Sequence, residues 1–245
     1  MNTFPGGLIY TCGLRNAGPG NRDNGEWMPI HGRYHSLAAE QVSARIVDDE
    51  IIVSGVIRET RLFGHVLEVE RTITIPVFGS SVTVSDKLTN YTPKDEEIIR
   101  IYHCNFGYPL LSEKARLILP EGTKTTPRTE FAATGLDRAC EFDKPADNEE
   151  ERVFFQDVPE AWARLENPEL DTAMTISWSG DTLPMFSEWR SMGSGDYVLG
   201  LEPTNCRIMG RHDERENGTL EVLGAYESID TFVKIEFSRL QKGNR

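Results

Sequence analysis

Alternation of apolar and polar residues is the clearest pattern in the chain. Residues 66–75 (VLEVERTITI) place an apolar side chain at almost every second position, which is typical of a β-strand with one buried face. Residues 51–57, 82–88 and 98–103 are rich in β-branched residues, and the segments between these strands carry Gly, Pro, Asn or Asp. This order predicts four consecutive antiparallel strands.

Strand character returns in three later segments, residues 174–178, 197–201 and 232–237. No strand alternates with a long amphipathic helix, which disfavours a parallel α/β sheet. Residues 120–157 contain three prolines and the acidic run DNEEE, and we interpret them as long surface loops across an open face, not as a linker. The prediction is an all-β protein, mainly an antiparallel β-sandwich, with a single domain over residues 1–245.

Net charge and cysteine content narrow the range of partners and compartments. The 245-residue chain has a formal net charge of −13, which disfavours nucleic acid and anionic membrane as partners because those surfaces repel an acidic protein. Its four cysteines are widely spaced, so we expect reduced thiols in a cytoplasmic protein and no disulfide framework. The first residues lack the basic and apolar regions of a signal peptide, and no apolar run is long enough for a membrane span.

Two polar segments carry candidate functional residues near the ends of strands. The segment PIHGR contains His31 and Arg33 around a glycine that permits close backbone approach to a ligand, although a surface turn is the plain alternative. The segment YHCNFGYPLL contains His103 and Asn105, which face the same side of the sheet because they are two residues apart. A histidine with a purely structural role in the core is the alternative there.

A third segment, LGLEPTN, places Glu202 in an otherwise apolar strand just before a proline. Apolar neighbours partly desolvate a carboxylate, and a desolvated carboxylate is suited to act as a general base. The alternative is a glutamate at the rim of the sheet that forms a salt bridge.

Taken together, the segments resemble one known family. The sequences GGLIYTCGL, IHGRYH, YHCNFGYPLL, LPMFSEW and LGLEPTN, in this order, are similar to those of the aldose 1-epimerase or galactose mutarotase-like superfamily, and most of all to a branch that includes deoxyribose-mutarotase-like proteins. The resemblance extends from about residue 6 to residue 233. It implies a β-supersandwich that interconverts the α and β anomers of a free monosaccharide by general acid/base catalysis, with no cofactor and no metal.

The resemblance also assigns roles to individual residues. His103 matches the histidine that acts as general acid on the ring oxygen, and Glu202 matches the glutamate that acts as general base on the anomeric hydroxyl. His31 matches a second histidine that hydrogen-bonds the sugar, and Arg33 is a neighbouring contact. The expected geometry places His103 and Glu202 on opposite sides of a sugar-sized gap. Further candidate sugar contacts are Asn105, Tyr108, Trp189 and Asn205, of which Tyr108 and Trp189 would stack on the sugar, as would Phe106.

Two features depart from the family pattern. An additional aspartate of the family has no clear match, and Glu151 and Asp137 are the nearest candidates. The region before the His-Gly segment is also much shorter than in the family, so we expect a fold shortened at the N-terminus, with an exposed edge strand that a second copy of the chain could cover as a homodimer. A fold shortened in this way would also lack any sugar-binding residue that the family carries in that region.

Three alternatives stay open at this point. The chain could be a non-catalytic carbohydrate-binding or sensing protein on the same fold. It could also be a hexose-6-phosphate 1-epimerase, which needs a cluster of basic residues for the phosphate, with Arg33, Arg190 and Arg211 as candidates. A metal site of the cupin kind would use His103, Cys104 and His212, although their spacing fits no strong metal-binding signature.

Overall fold

Two large antiparallel sheets and one small hairpin make up the strands of the computed structural model, which describes residues 6–240. The strands, in chain order, are β1 (Ile9–Leu14), β2 (Asn21–Asp23), β3 (Glu26–Met28), β4 (Glu40–Val47), β5 (Glu50–Thr60), β6 (Val66–Pro76), β7 (Ser81–Asn90), β8 (Glu96–Gly107), β9 (Arg116–Ile118), β10 (Lys124–Pro127), β11 (Arg152–Asp157), β12 (Trp162–Asn167), β13 (Thr172–Trp178), β14 (Met185–Gly193), β15 (Asp196–Thr204), β16 (Glu221–Leu223) and β17 (Ser228–Arg239). The helices are short: α1 (Glu130–Ala133), α2 (Arg211–Glu216) and 3-10 turns at Tyr34–Ser36, Leu136–Arg138 and Pro168–Leu170.

The sheet order explains how the chain forms a sandwich. One sheet has seven strands in the order β1-β8-β15-β14-β11-β10, with β16 paired to β8. The other has eight strands in the order β4-β5-β6-β7-β17-β13-β12-β9, and β2 and β3 form a separate hairpin. Every named strand pair is antiparallel. The predicted all-β sandwich is therefore confirmed.

The predicted strands correspond closely to observed ones. The four consecutive segments are β5 to β8, and the three later segments lie in β13, β15 and β17. The prediction for residues 120–157 was only partly right, because β10 and β11 pair with each other and extend the seven-stranded sheet. Val153 and Phe154 in β11 are buried, and this short apolar stretch, one residue after the acidic run, packs the strand into the protein.

The main core lies between the two large sheets. It is formed by side chains from the inner faces of both, including Tyr102, Leu165, Ile176, Phe186 and Leu201. Trp178 of one sheet stacks on Phe186 of the other, with ring centroids 4.8 Å apart. Alternate residues of β8 and β15 point into this core, so the residues between them face the opposite side of the seven-stranded sheet. That opposite side is where the candidate site lies.

A second, smaller cluster covers part of this opposite side. Cys12, Ile99, Ile101, Cys206 and Ile208 are all buried there and pack together. All four cysteines of the chain are free thiols, and burial is the first cause of the raised pKa of each one.

One end of the eight-stranded sheet extends beyond the layer that covers the rest. All eight residues of the edge strand β4 are exposed. Three isoleucines lie side by side across β4, β5 and β6: Ile46 pairs with Ile51, and Ile51 pairs with Ile75. Ile46 is 70% exposed. We refer to these three residues as the isoleucine row. No helix among residues 6–240 is long and apolar enough to cross a membrane.

Candidate active site

A cavity of about 500 Å³ opens on the outer face of the seven-stranded sheet. Among the residues that line it are His31, His103, Trp189 and Glu202. Four candidate residues from distant parts of the sequence therefore meet in one place. The cavity has a volume typical of small-molecule sites.

Strand pairing brings the histidine of β8 and the glutamate of β15 together. Leu201 pairs with Cys104, so the next residue along β15, Glu202, lies opposite His103. The two leucines of LGLEPTN, Leu199 and Leu201, point into the core. Because side chains alternate along a strand, Gly200 and Glu202 face the cavity side.

His103 and Glu202 are in direct contact. Nε2 of His103 lies 2.8 Å from Oε1 of Glu202, and the two residues are only 5% and 3% exposed. The expected sugar-sized gap between them is therefore absent. Directly opposite residues on paired antiparallel strands have Cβ atoms about 5 Å apart, which is too close for a sugar ring to enter between them. A ligand must instead meet both groups from the same side, across the edge of the pair.

Gly200 provides the space in which this pair is packed. A Cβ atom built at Gly200 would lie 2.7 Å from Glu202 Oε1, 3.0 Å from His103 Cε1 and 3.3 Å from Trp189 Cβ. Any side chain at position 200 would displace one of the three neighbours. The glycine in LGLEPTN is thus explained by the crowding of the Glu202, His103 and Trp189 side chains around it.

A tight turn presents His31 to the same cavity. His31 has a φ of 55°, and Gly32 follows with a φ of 74°. A Cβ atom at Gly32 would lie 2.2 Å from the carbonyl oxygen of Gly13, so only glycine fits there. The turn is held by backbone hydrogen bonds to Gly13, which donates to the His31 carbonyl and accepts from Arg33.

The His31 imidazole is neutral at neutral pH. Burial, followed by the nearby His103, lowers the pKa of His31 from 6.5 to about 4. The Gly18 N–H donates to Nδ1 of His31 at 3.4 Å, and the His31 and His103 rings meet edge-on with centroids 5.9 Å apart. A neutral imidazole can bind a sugar hydroxyl without acting as the acid.

Trp189 forms the wall on the other side of His103. Its ring meets the His103 ring edge-on, with centroids 5.6 Å apart. Its Nε1–H donates to Oε2 of Glu151 at 2.8 Å, and Arg128 donates to Oε1 of Glu151 at 2.9 Å. The indole therefore has contacts at both ends.

The remaining walls of the cavity are mostly apolar, with a few charges at the rim. The apolar lining side chains besides Trp189 are Pro19, Ile30, Val153, Ile208 and Met209. The charged lining side chains are Arg128, Glu151, Glu202 and Asp213. Carboxylates thus outnumber cations, and the one arginine is paired with Glu151.

Four of the predicted sugar contacts (Arg33, Asn105, Tyr108 and Asn205) lie outside the cavity lining, and so does the additional stacking candidate Phe106. Arg33 is exposed after the turn, and Tyr108 is 81% exposed. The Asn105 amide donates to the carbonyl of Gly7 at 2.7 Å. Phe106, the additional stacking candidate, is buried in the main core.

The side chain of Asn205, the fourth, forms hydrogen bonds within the protein. Its side chain accepts from the Arg100 N–H at 2.6 Å and donates to the Ile98 carbonyl at 3.2 Å and to Glu221 at 2.6 Å. These bonds tie the end of β15 to β8 and β16. The local sequence shows an amide at the end of a strand but not which way it faces.

Some lining residues had no signal in the sequence. Arg128 directly follows β10, and Asp213 lies on α2, both in segments without a recognisable motif. Glu151, one of two candidates for the missing aspartate of the family, does line the cavity. Asp137, the other, lines a separate cavity beside Arg138.

The residues considered for a metal or phosphate site are dispersed. His103 and Cys104 are consecutive on β8 and therefore point to opposite faces. In the described part of the chain, no group of three or more His, Cys, Asp or Glu residues is arranged to hold a metal ion. Arg190 is buried and bonds Glu188 and nearby carbonyls, and Arg211 pairs with Asp23 and Glu97.

The fold is similar to that of solved structures described as a "putative aldose 1-epimerase" and as galactose mutarotase-like or mutarotase-related proteins. A "putative aldose 1-epimerase" from Klebsiella pneumoniae subsp. pneumoniae MGH 78578 superposes with a TM-score of 0.89 at 23% identity, over 94% of this chain and 62% of that chain. A galactose mutarotase related enzyme from Lactobacillus acidophilus gives 0.69 at 11% identity, over 95% and 84%. A galactose mutarotase-like protein from Clostridium acetobutylicum gives 0.63 at 13% identity, over 95% and 79%. The chain spans 62% of the length of the Klebsiella protein.

Sequence comparison identifies the family of the chain. Residues 1–237 match the model of a family described as Domain of unknown function (DUF4432), and the chain belongs to this family. None of the curated proteins matches the chain in sequence.

Proposed function

We propose that the protein is an aldose 1-epimerase that interconverts the α and β anomers of a free monosaccharide. The observation that carries the proposal is the contact between His103 and Glu202, 2.8 Å apart at the surface of one small-molecule cavity. Paired acid and base groups in a cavity of this size suit a reaction that consists of two proton transfers.

The direct contact between the pair agrees with the chemistry of a hemiacetal. The ring oxygen and the anomeric hydroxyl oxygen are bonded to the same carbon, C1, so the acid and the base must reach two neighbouring atoms. Adjacent side chains on paired strands do this from one side of the sugar. Both groups are held in the sheet, which keeps them oriented before the sugar binds.

The proposed reaction begins with His103 protonated and Glu202 ionised. His103 donates its proton to the ring oxygen while Glu202 removes the proton of the anomeric hydroxyl. The C1–O5 bond breaks, and C1 becomes the carbonyl of the open-chain aldose. After rotation about C1–C2, His103 takes back the proton of the C5 hydroxyl as that oxygen attacks C1, and Glu202 returns its proton to the carbonyl oxygen. All protons are restored, and no cofactor is consumed.

His31 and Trp189 have supporting roles in this proposal. The lowered pKa of His31 keeps it neutral, so it can hydrogen-bond a sugar hydroxyl while His103 acts as the acid. Trp189 and the apolar walls offer surface for the C–H face of a sugar. The proposed partner is therefore a neutral monosaccharide.

The distribution of charge disfavours a phosphorylated sugar. A hexose 6-phosphate needs several cationic side chains in the cavity. Arg128 is the one lysine or arginine among the lining residues, and its guanidinium already pairs with Glu151. Asp213, Glu151 and Glu202 would repel a phosphate dianion.

Polarimetry tests the proposal directly. Freshly dissolved pure anomers of glucose, galactose and 2-deoxyribose are followed with the wild type, His103→Ala and Glu202→Ala. Acceleration by the wild type and its loss by about 10²–10⁴-fold in each variant is the expected result. The control is Glu70→Ala, an exposed change on β6 in the other sheet. If the wild type binds sugars without accelerating mutarotation, the proposed enzyme function is wrong and the protein is a carbohydrate-binding protein.

A further inference from the structure

Glu151 bridges two side chains at the rim of the cavity. It lies just before β11, with about half of its side chain exposed. Oε1 accepts from the Arg128 guanidinium at 2.9 Å, and Oε2 accepts from the Trp189 indole N–H at 2.8 Å. Both carboxylate oxygens are therefore engaged in charge-assisted hydrogen bonds, which are stronger than neutral ones.

The bond to Trp189 restricts the orientation of the indole. The backbone of Trp189 is fixed by pairing with Val153 on one side and Gly200 on the other. The side chain still has two torsions to set, and an indole has a single N–H donor. Once Glu151 accepts that donor, one orientation of the ring is selected.

That orientation determines the contact between Trp189 and the proposed acid. The Trp189 ring meets His103 edge-on at 5.6 Å with an interplanar angle of 65°, and His31 contacts the same imidazole at 5.9 Å. The His103 ring thus lies between two aromatic neighbours, of which one is set by Glu151 and the other by the turn at Gly32.

We propose that Glu151 is a positioning residue: held by Arg128, it fixes the Trp189 indole, and through the indole it fixes the His103 imidazole beside Glu202. The role rests on the proposed epimerase function, because it describes the alignment of that acid. It differs from a direct sugar contact, in which a Glu151 oxygen would bind a hydroxyl and give up the indole or the arginine.

Enzyme kinetics separates these two roles. Glu151→Gln leaves one carbonyl oxygen for two donors, and Trp189→Phe keeps a ring but removes the N–H. For a positioning residue, each variant lowers kcat by about tenfold with little change in KM, and the double variant is no worse than the poorer single one. A direct sugar contact would instead raise KM in Glu151→Gln and multiply the two effects. Glu150→Gln, a change at the neighbouring exposed carboxylate, is the matched control and should match the wild type.

Nuclear magnetic resonance tests the positioning without any activity. The Trp189 indole N–H signal is assigned by its loss in Trp189→Phe, and the His103 ring signals by their loss in His103→Ala. In Glu151→Gln both sets should shift, because the hydrogen bond and the ring contact change together, whereas Glu150→Gln should leave them in place. Unchanged His103 signals in a folded Glu151→Gln would overturn the positioning role. If the wild type accelerates no sugar while Glu151→Gln shows both shifts, the proposed function is refuted and the positioning contact is kept.

Discussion

The Glu202 carboxylate occupies space that exists because residue 200 has no side chain. A Cβ at Gly200 would stand 2.7 Å from Oε1 of Glu202, and the same atom would approach His103 at 3.0 Å. One position on β15 therefore controls the packing of both members of the proposed acid–base pair.

Gly200→Ala should lower the epimerase rate by about 10²-fold, since a shift of about 1 Å in a catalytic group has an effect of that size. The free energy of unfolding should fall only a little, because the neighbouring side chains face a cavity into which they can move. Rates come from polarimetry and stability from urea titration. Gly193→Ala on the same hairpin is the control, as the nearest atom to a Cβ there is 3.9 Å away. Equal rates for the two variants would contradict the prediction.

The pair should behave as a unit in a double variant. His103→Ala and Glu202→Ala each remove one of the two groups that the ring-opening step needs, so either change already disables the step. We expect the double variant to retain about the same residual rate as the poorer single variant. A further drop equal to the product of the two single effects would show that the groups act independently.

His31 should make the protein less stable in mild acid. Its pKa is about 4 in the folded protein and near 6.5 in the unfolded chain, so between these values the unfolded chain binds more protons. The free energy of unfolding therefore falls as pH falls from 6.5 to 4, with a slope that approaches about 1.4 kcal/mol per pH unit for each such histidine. His65, whose pKa burial also lowers to about 4, adds a second contribution of the same sign.

Substitution at His31 isolates its share of this slope. Asn cannot protonate in this range and tolerates the left-handed backbone at position 31 better than most residues do. Urea titrations from pH 7 to pH 4 should give a shallower decline for His31→Asn than for the wild type, and a shallower one still when His65→Asn is added. A decline identical to that of the wild type would show that His31 is not held neutral.

The turn that presents His31 should be sensitive to a single methyl group. Gly32→Ala combines a positive φ with a Cβ 2.2 Å from the Gly13 carbonyl oxygen. Gly122 also has a positive φ but has no atom within 4 Å of a Cβ, so Gly122→Ala reports the backbone strain alone, about 1–2 kcal/mol. We expect Gly32→Ala to lower the free energy of unfolding by at least twice that amount. Similar losses in the two variants would mean that the turn relaxes around the methyl group.

Strand alternation carried most of the information about the fold. The segments that became β5 to β8 are long and strongly patterned, and they were predicted correctly. The pair β10 and β11 was missed because each strand is short and lies next to prolines or acidic residues. Its pairing depends on contacts with β14 that no local pattern records.

At the candidate site too, local sequence indicated candidate residues but not their arrangement in space. The motifs indicated His103 and Glu202 as candidates, but their direct contact follows from the register between β8 and β15 and could not be read from the motifs. Asn205 illustrates the reverse error, since an amide at a strand end is equally suited to a ligand or to a neighbouring strand. Arg128 and Asp213 lie in no recognisable motif, and their place in the cavity lining follows only from the folded structure.

The exposure of the edge strand β4, which carries Ile46 of the isoleucine row, affects how the protein moves. Strand β4 is joined to the rest of the molecule through its pairing with β5, and its side chains lie in solvent. Little apolar burial opposes the opening of this strand, so its amides should exchange with deuterium well before those of β8 and β15. The edge strand β4 and the inner strands β8 and β15 can therefore fluctuate on different timescales, and the imidazole and carboxylate of the cavity lie on the slower strands.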